Sequence, residues 1–322
     1  MGRDGRQGTR SAGGDRRPRG RALSRATTMR PRNIWIDGAL ASADAPHLSA
    51  FDRGFQMGDA VFETLRARAG RATELAEHLA RLRASADGLA IALPASAEAD
   101  IAAGIADLLR AEDLAGSDGD AAIRITVSRG PFLGRGLLPP SDAEPTPTVV
   151  VQAWTVTPAP AAHLEHGIRL VTSAVRRDPS SPLGRLKTTS RADHVYARLE
   201  AKRAGADDAL FLTVDGHLSE ATSANVFLIS GTALETPSLA CGILAGTTRD
   251  WILGWASRVG LRPAEALLRP ADLAAANEAF LSSSVAGILP VTTFDGRAIG
   301  SGQPGTWTLR ARRDREAFVA GS

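Results

Sequence analysis

The sequence predicts a two-domain mixed α/β protein, with a small N-terminal α/β domain and a larger, β-rich C-terminal α/β domain. Strand-like and helix-like hydrophobic periodicities alternate along most of the chain, which is typical of α/β folds. The chain has 322 residues, 43% of them hydrophobic, which fits one large or two modest domains. A Pro- and Ala-rich stretch at 157–165 is the best linker candidate. We therefore expect domains at 33–156 and 166–316.

The N-terminal domain is predicted from clear local signals. Asn33–Ile36 followed by Asp37-Gly38 indicates a strand that enters a tight turn. Apolar residues recur at helical spacing over 74–89, which predicts an amphipathic helix. The other predicted elements are a helix at 97–111 and strands at 61–67, 121–127 and 148–155. The long Gly- and Pro-containing loop at 130–147 has a length that is often functional in compact domains.

The C-terminal domain is predicted to be richer in strands. The strand-like run 209–214, followed by Asp215-Gly216 and then 217–220, is typical of a hairpin. Apolar residues at helical spacing after Thr248 predict a helix that begins near this residue. The other predicted elements are a helix at 190–204 and strands at 168–174, 225–229 and 278–281.

The net charge is unevenly distributed. Residues 1–32 hold ten arginines and two aspartates and carry +8, so the rest of the chain carries −5. A basic tail of this composition lacks the apolar residues for a core. Three interpretations are open: a disordered extension upstream of a start at Met29, a transit peptide, and an arm that binds RNA or DNA. We favour the disordered extension, because structured sequence begins just after Met29, and the acidic body argues against a nucleic-acid partner.

Cysteine and hydrophobic content exclude several protein classes. The single cysteine, Cys241, cannot form an internal disulfide framework or a cysteine-based metal cluster, so no metal site is expected. No uncharged apolar run approaches the ~18–20 residues that span a bilayer. We therefore expect a cytoplasmic protein without a membrane partner.

Lysine is nearly absent from this chain. Of 38 basic residues, only Lys187 and Lys202 are lysines. Arginine stays protonated and cannot form a Schiff base, whereas lysine can. The two lysines are therefore candidates for chemistry that arginine cannot perform, although two could also remain by chance.

Several polar groups are candidate ligands for a phosphate. Gly246-Thr247-Thr248 opens a predicted helix, whose first N–H groups and partial positive charge suit an anion. Ser283 and Ser284 end a predicted strand, and Arg81 lies on the first long helix. Each has an ordinary alternative as a helix cap, a polar turn or a solvated side chain.

Together with Lys187 and Glu220, these groups form the set that pyridoxal 5'-phosphate requires. Its aldehyde needs a lysine amine, its pyridine nitrogen needs an acid, and its phosphate needs donors and positive charge. Spacing alone does not show that these groups meet.

Residues 33 to about 300 resemble the class IV, fold-type IV pyridoxal-phosphate enzymes. These are the branched-chain and D-amino acid aminotransferases and the aminodeoxychorismate lyases. Six blocks occur in the order of that family: Asp52–Arg66, His78–Leu82, Leu186-Lys187, Glu220–Asn225, Gly242–Arg249 and Phe280–Ser284.

The resemblance implies a role for each matching residue. Lys187 is expected to be the Schiff-base lysine and proton shuttle, and Glu220 the partner of the pyridine nitrogen. The other implied cofactor contacts are Arg81, Ser223, Leu244, Gly246, Thr247, Thr248, Ser283 and Ser284. The implied substrate contacts are Thr64, Arg66, Arg129 and Arg135. The family also implies a homodimer with the site at the domain junction.

The resemblance leaves the reaction open. Branched-chain aminotransferases usually place Asn-Tyr four and five residues after the lysine, where this chain has Arg191 and Ala192. Arg191, with Thr64-Leu65-Arg66, is more similar to aminodeoxychorismate lyase. The first hypothesis is an aminotransferase for a branched-chain L- or a D-amino acid and a 2-oxo acid. The second is a lyase that forms 4-aminobenzoate and pyruvate, and a remote third is a non-enzymatic protein whose basic tail binds nucleic acid.

Overall fold

The computed structural model describes residues 30–321. The Arg-rich segment 1–29, to which most of the predicted tail belongs, lies outside the described residues. Within residues 30–321 no helix is long and apolar enough to cross a membrane.

The first half of the chain folds around a six-stranded antiparallel sheet, in the order β2-β1-β6-β5-β3-β4. Two helices, α2 and α3, pack on one face of it and enclose a core with Trp35, Leu82 and Ile105. The elements are β1 (Asn33–Ile36), β2 (Ala39–Ser42), α1 (Arg53–Met57), β3 (Ala60–Arg68), β4 (Arg71–Ala72), α2 (Leu75–Gly88), α3 (Ala97–Ala111), β5 (Asp120–Ser128) and β6 (Thr148–Thr155).

The second half is built on a mixed nine-stranded sheet, in the order β12-β11-β10-β13-β14-β7-β8-β9, with β15 paired to β14. The elements are α4 (Ala161–Glu165), β7 (Ile168–Arg177), α5 (Ala192–Arg203), β8 (Asp208–Thr213), β9 (Leu218–Ala221), β10 (Asn225–Ser230), β11 (Ala233–Pro237), α6 (Thr247–Arg258), β12 (Arg262–Ala266), α7 (Pro270–Ala275), β13 (Glu278–Ser283), β14 (Gly287–Phe294), β15 (Arg297–Ala298) and α8 (Thr306–Gly321). The sheet curls, because the Leu218 N–H of β9 donates to the Leu268 carbonyl just beyond β12, at 2.7 Å.

The predicted mixed α/β fold class is confirmed, with one sheet in each half of the chain. Along the chain, the linker candidate 157–165 lies between the last strand of the first sheet and the first strand of the second, and it contains α4. The independence of the two predicted domains stays a prediction.

Helix α8 is absent from the sequence prediction, for a physical reason. Its buried positions recur every three to four residues, but they are Thr308, Ala311, Arg315 and Val319. A stripe that includes threonine and arginine gives no amphipathic signal. Arg315 is buried because both its terminal nitrogens pair with Glu74, at 2.9 and 2.7 Å, which ties α8 to the start of α2.

Candidate active site

A cavity of about 730 Å³ lies between the two sheets. Strands β3 and β5 of the first sheet form one wall, and residues from β9, β13 and the start of α6 form another. Eleven of the sequence-predicted site residues line it: Thr64, Arg81, Lys187, Glu220, Ser223, Leu244, Gly246, Thr247, Thr248, Ser283 and Ser284.

Backbone pairing with the first sheet holds Lys187 in this cavity. The Phe62 N–H of β3 donates to the Lys187 carbonyl, and the Thr189 N–H donates to the Ala60 carbonyl, both at 2.9 Å. The Lys187 N–H donates to Ser85 Oγ of α2 at 3.1 Å. These bonds attach the lysine segment, which belongs to the second half of the chain, to the edge of β3. The Lys187 ammonium nitrogen lies 4.8 Å from the centre of the Phe62 ring.

The surroundings of Lys187 favour its neutral amine. Burial lowers the pKa of Lys187 to about 8. The carboxylate of Glu63 opposes this shift, and the guanidinium groups of Arg81 and Arg191 add to it. An amine with a pKa near 8 is a nucleophile and a base close to neutral pH, which an ordinary exposed lysine is not.

Glu220 also lines the cavity, near the end of the hairpin strand β9. It is buried, and one carboxylate oxygen accepts from Arg177 at 3.1 Å while the other accepts from the Leu244 N–H at 3.0 Å. Arg177 also donates to Asp193 at 2.7 Å. These two contacts orient the Glu220 carboxylate in the cavity, where a carboxylate oxygen can accept a hydrogen bond from a ring nitrogen.

The start of α6 and the end of β13 bring hydroxyl groups together. The hydroxyl oxygens of Thr247 and Ser284 lie 3.4 Å apart. Ser282 Oγ, which also borders the cavity, is buried and has no hydrogen-bond partner among the described residues. A Cβ on Gly246 would come within 2.3 Å of Asn225 Oδ1, so a larger residue directly before the helix would force the Asn225 side chain to shift. This donor set, at a helix N-terminus, fits a phosphate group.

Arg81 borders the same part of the cavity. Its Nε and Nη2 donate to the two oxygens of Glu63 at 2.7 and 2.8 Å, and its Nη1 donates to the Ala245 carbonyl at 2.6 Å. Burial alone would raise the pKa of Glu63, but the hydrogen bonds from Arg81 and His78 outweigh it and lower that pKa to about 2. Glu63 therefore fixes the guanidinium beside the hydroxyl cluster.

The structure places three predicted substrate contacts away from the cavity. Arg66 pairs with Asp120 at 2.7 Å and with Glu316 of α8 at 3.0 Å. Arg129 pairs with Asp59 at 2.7 Å and donates to the carbonyls of Leu89 and Ala90.

The placements of Arg66 and Arg129 differ from the expectation from sequence, and a substrate contact for Arg135 stays a prediction. Arg66 and Arg129 are buried and held by partners of their own, so neither is available to a carboxylate in the cavity. Arg135 is exposed on the 130–147 loop and does not line the cavity.

Two unpredicted groups face the substrate side of the cavity, Arg124 and the Phe62 ring. Arg124 of β5 lies directly opposite Thr64 in the β3–β5 register, and its guanidinium carbon is 4.0 Å from the centre of the Phe62 ring. Within residues 30–321 Arg124 has no carboxylate partner, and its one hydrogen bond is to Thr126 Oγ1 at 3.2 Å. The strand alternation Ala121, Ile123, Ile125 puts Arg124 on the opposite face, which is a signal available from the sequence.

We expect Lys187→Met to stabilise the cofactor-free protein below pH 8. The folded pKa of about 8 lies below the ordinary value of 10.5, so the buried ammonium costs roughly 3 kcal/mol at pH 7, and this cost disappears as the pH rises from 8 to 10.5. Urea unfolding at pH 7 and pH 9.5 measures the effect, with Lys202→Met as the matched control. A gain in the free energy of unfolding that is equal at both pH values would contradict the depressed pKa.

Known proteins share this architecture. The family model described as amino-transferase class IV matches residues 60–294. A Methanocaldococcus jannaschii protein, named provisionally as a branched-chain-amino-acid aminotransferase, is 34% identical over 87% of this chain and 93% of its own. The aminodeoxychorismate lyase of Bacillus subtilis is 31% identical over 83% of this chain and 88% of its own. The D-alanine aminotransferase of Bacillus licheniformis is 30% identical over 85% and 93%.

Solved structures agree with the sequence comparison. The Escherichia coli branched-chain amino acid aminotransferase superposes with a TM-score of 0.84 at 26% identity, over 91% of this chain and 96% of that chain. The branched-chain amino acid aminotransferase of the organism abbreviated T.th., complexed with N-(5'-phosphopyridoxyl)-L-glutamate, gives a TM-score of 0.82 at 27% identity, over 90% and 94%. This chain therefore belongs to the class IV aminotransferases, a fold-type IV family of enzymes that use pyridoxal 5'-phosphate.

Proposed function

We propose that this chain transfers an amino group between an amino acid and a 2-oxo acid, with Lys187 as the catalytic amine. The observation that supports this most directly is the placement of Lys187. Its amine has a pKa of about 8 and shares one cavity with the Glu220 carboxylate and the Thr247–Ser284 hydroxyl cluster. A lysine, an acid and a phosphate cradle in one cavity are the groups that a pyridoxal-phosphate aminotransferase needs.

The cavity residues divide into those that hold the cofactor and one that moves a proton. Bound pyridoxal 5'-phosphate supplies an electron-withdrawing ring that acidifies the Cα–H of a bound amino acid. Thr247, Thr248, Ser283, Ser284 and Arg81 would hold its phosphate, Glu220 its pyridine nitrogen, and Ser223, Leu244 and Gly246 would complete the pocket. Lys187, once its amine is free, would take the proton from the substrate Cα and return it to cofactor C4′.

Recognition of the substrate carboxylate belongs to Arg124 in this proposal, with Arg191 beside it. Burial lowers the pKa of both guanidinium groups, and both lie near the Phe62 ring, with their guanidinium carbons 4.0 and 5.8 Å from its centre. Arg191 also donates to the Thr222 carbonyl at 2.5 Å. Arg124 has no anionic partner among the described residues, so a substrate carboxylate would fill that place by a bidentate contact.

Aminodeoxychorismate lyase activity is the second candidate. It is favoured by Arg191, four residues after the lysine, and by the 31% identity to the Bacillus subtilis lyase. The same lysine would then serve an elimination that releases pyruvate rather than an exchange of nitrogen.

A homodimer is part of the proposal, and a cytoplasmic location stays a prediction. Three leucines of the 130–147 loop, Leu133, Leu137 and Leu138, are 79%, 84% and 72% exposed. Apolar side chains clustered on one loop are typical of a buried interface. Sedimentation velocity at micromolar concentration tests this, and a monomer under those conditions would contradict it.

Visible absorbance of the purified, cofactor-loaded protein tests the activity. We expect the cofactor band to disappear on addition of an accepted amino acid and to return on addition of 2-oxoglutarate. Release of pyruvate from aminodeoxychorismate, together with a cofactor band that no amino acid removes, would favour the lyase. Lys187→Arg keeps a cation but loses the amine that can condense with the cofactor aldehyde, so turnover should fall at least about a hundredfold. Full activity in that variant would contradict the proposed role of Lys187.

Arg124→Gln should lower kcat/KM for the amino acid roughly ten- to hundredfold, because a charge-assisted carboxylate contact is worth about 1.5–3 kcal/mol. Arg203→Ala is the matched control, because Arg203 is an exposed arginine of α5 outside the cavity and its loss should change kcat/KM by less than about twofold. Steady-state kinetics of both variants measure the effect. Equal losses of kcat/KM in the two variants would contradict the assignment of Arg124 to the substrate carboxylate.

Arg81→Ala should weaken binding of pyridoxal 5'-phosphate roughly ten- to hundredfold, since the cavity loses a guanidinium that Glu63 holds in place. Arg83 lies two residues along α2, where its Nη2 donates to Glu98 at 2.6 Å and to the Pro94 carbonyl at 2.8 Å, outside the cavity. Arg83→Ala should therefore leave cofactor affinity nearly unchanged. Fluorescence titration of the cofactor-free proteins measures both. Equal effects would contradict the assignment of Arg81 to the phosphate.

A further inference from the structure

A buried row of hydrogen-bonding groups leads from the first sheet to the hydroxyl cluster. His78 of α2 is fully buried, as is Glu63 of β3. His78 Nδ1 lies 2.7 Å from Glu63 Oε2, and its Nε2 lies 3.3 Å from Thr247 Oγ1. Thr247 Oγ1 in turn lies 3.4 Å from Ser284 Oγ. His78 itself does not line the cavity, and the proposed reaction does not use it.

The proton on Nδ1 is fixed by Glu63. The pKa of Glu63 is about 2, because its bonds to Arg81 and His78 outweigh the effect of burial, so this carboxylate is ionised and can only accept. A nitrogen 2.7 Å from such an oxygen must carry a hydrogen. Arg81 Nη2, 3.4 Å from the same nitrogen, is itself a donor and does not compete for this place.

The protonation state of the opposite nitrogen, Nε2, determines whether the Thr247 hydroxyl can donate a hydrogen bond into the cavity. When His78 is neutral, Nε2 has a lone pair and accepts the Thr247 hydroxyl proton, so that only oxygen lone pairs remain for other partners. When His78 is protonated, Nε2 donates to Thr247 Oγ1, and the hydroxyl proton can go to another acceptor, either the Glu74 carboxylate, with which Thr247 also interacts, or a group in the cavity. A hydroxyl has one proton, so the two arrangements exclude each other.

A phosphate dianion selects between these two states. Its oxygens accept hydrogen bonds and cannot donate them, so they bind Thr247 only when the hydroxyl proton is free. We propose, on the basis of the proposed cofactor site, that His78 is a positioning residue that takes up a proton when a phosphate group binds to Thr247 and Ser284. Binding of the phosphate is therefore coupled to protonation of a histidine one hydroxyl away.

Some charged groups around His78 favour its protonated form, and others oppose it. Glu63 on β3 favours the imidazolium, as does Glu74 at the start of α2, which is itself paired with Arg315 of α8. Arg81 on α2 and Lys187 beside Glu63 oppose it. A bound dianion adds negative charge on the α6 side, where the described contacts of His78 include only the neutral Thr247. The balance of charge thus shifts toward the imidazolium on binding.

The test uses the cofactor-free full chain and pyridoxine 5'-phosphate, which lacks the aldehyde that reacts with Lys187. Calorimetry at pH 8 in two buffers of different ionisation enthalpy counts the protons taken up on binding. We expect the wild type to take up more protons than either His78→Gln or Thr247→Val. The difference between the proteins isolates His78 from Lys187, which both variants retain. Equal proton uptake in all three proteins would overturn the proposal.

Nitrogen-15 NMR of histidine-labelled protein reports the state of His78 directly and does not depend on the folding of a variant at that site. With the probe bound at pH 8, the His78 imidazole should give the signature of two protonated nitrogens, and in Thr247→Val it should stay neutral. A neutral ring in the wild-type complex would overturn the coupling while leaving the cofactor site in place. Absence of saturable binding in the wild type would overturn the cofactor site and the coupling together.

Discussion

A short backbone pairing between the edge of β3 and the segment after Lys187 is the constraint on which the rest of the cavity depends. The carbonyl of Lys187 accepts from the Phe62 N–H, and the Thr189 N–H returns a bond to Ala60. These bonds fix the backbone of the lysine, and its side chain extends past the Phe62 ring, with the amine 4.8 Å from the ring centre. Alternation along β3 then puts Phe62 and Thr64 on the cavity side and Glu63 on the side of α2.

The site separates permanent ion pairs from groups left available for a ligand. Glu63 holds Arg81, and Arg177 holds Glu220, so each charged side chain beside the predicted cofactor contacts keeps its orientation without a ligand. Arg124 has no such partner among the described residues. This asymmetry is why the geometry assigns Arg124, rather than the paired Arg66 or Arg129, to an incoming carboxylate. Arg66 and Arg129 do not line the cavity, and each would have to break a buried pair to reach a ligand there, at a cost of several kcal/mol, whereas Arg81 borders the cavity with its pair intact.

The sequence predicted elements whose apolar residues recur at the spacing of their buried positions. It missed elements whose buried positions include polar residues. The bounds of β1, α3 and β6 agree with prediction. The Asp37-Gly38 turn marks the end of β1, and apolar residues at helical spacing face the core in α3. Helix α8 was not predicted, because its row of buried residues includes the charged Arg315. For the site residues, the six sequence blocks indicated which positions along the chain matter, but they could not show which residues form ion pairs with them. Arg66 was expected to bind substrate because the chain does not reveal that Asp120 and Glu316, 54 and 250 residues away, hold it.

The near absence of lysine from this chain gains a physical meaning from the cavity. Burial lowers the pKa of Lys187, Arg124 and Arg191 alike, and for each of them it is the largest cause of the shift. Lysine starts near 10.5, so the same environment brings its amine to about 8 and within reach of deprotonation. Arginine starts so high that a downward shift leaves it charged at neutral pH. One buried pocket can therefore contain an amine that deprotonates near pH 8 and two groups that stay cationic, provided that the amine is lysine and the cations are arginines.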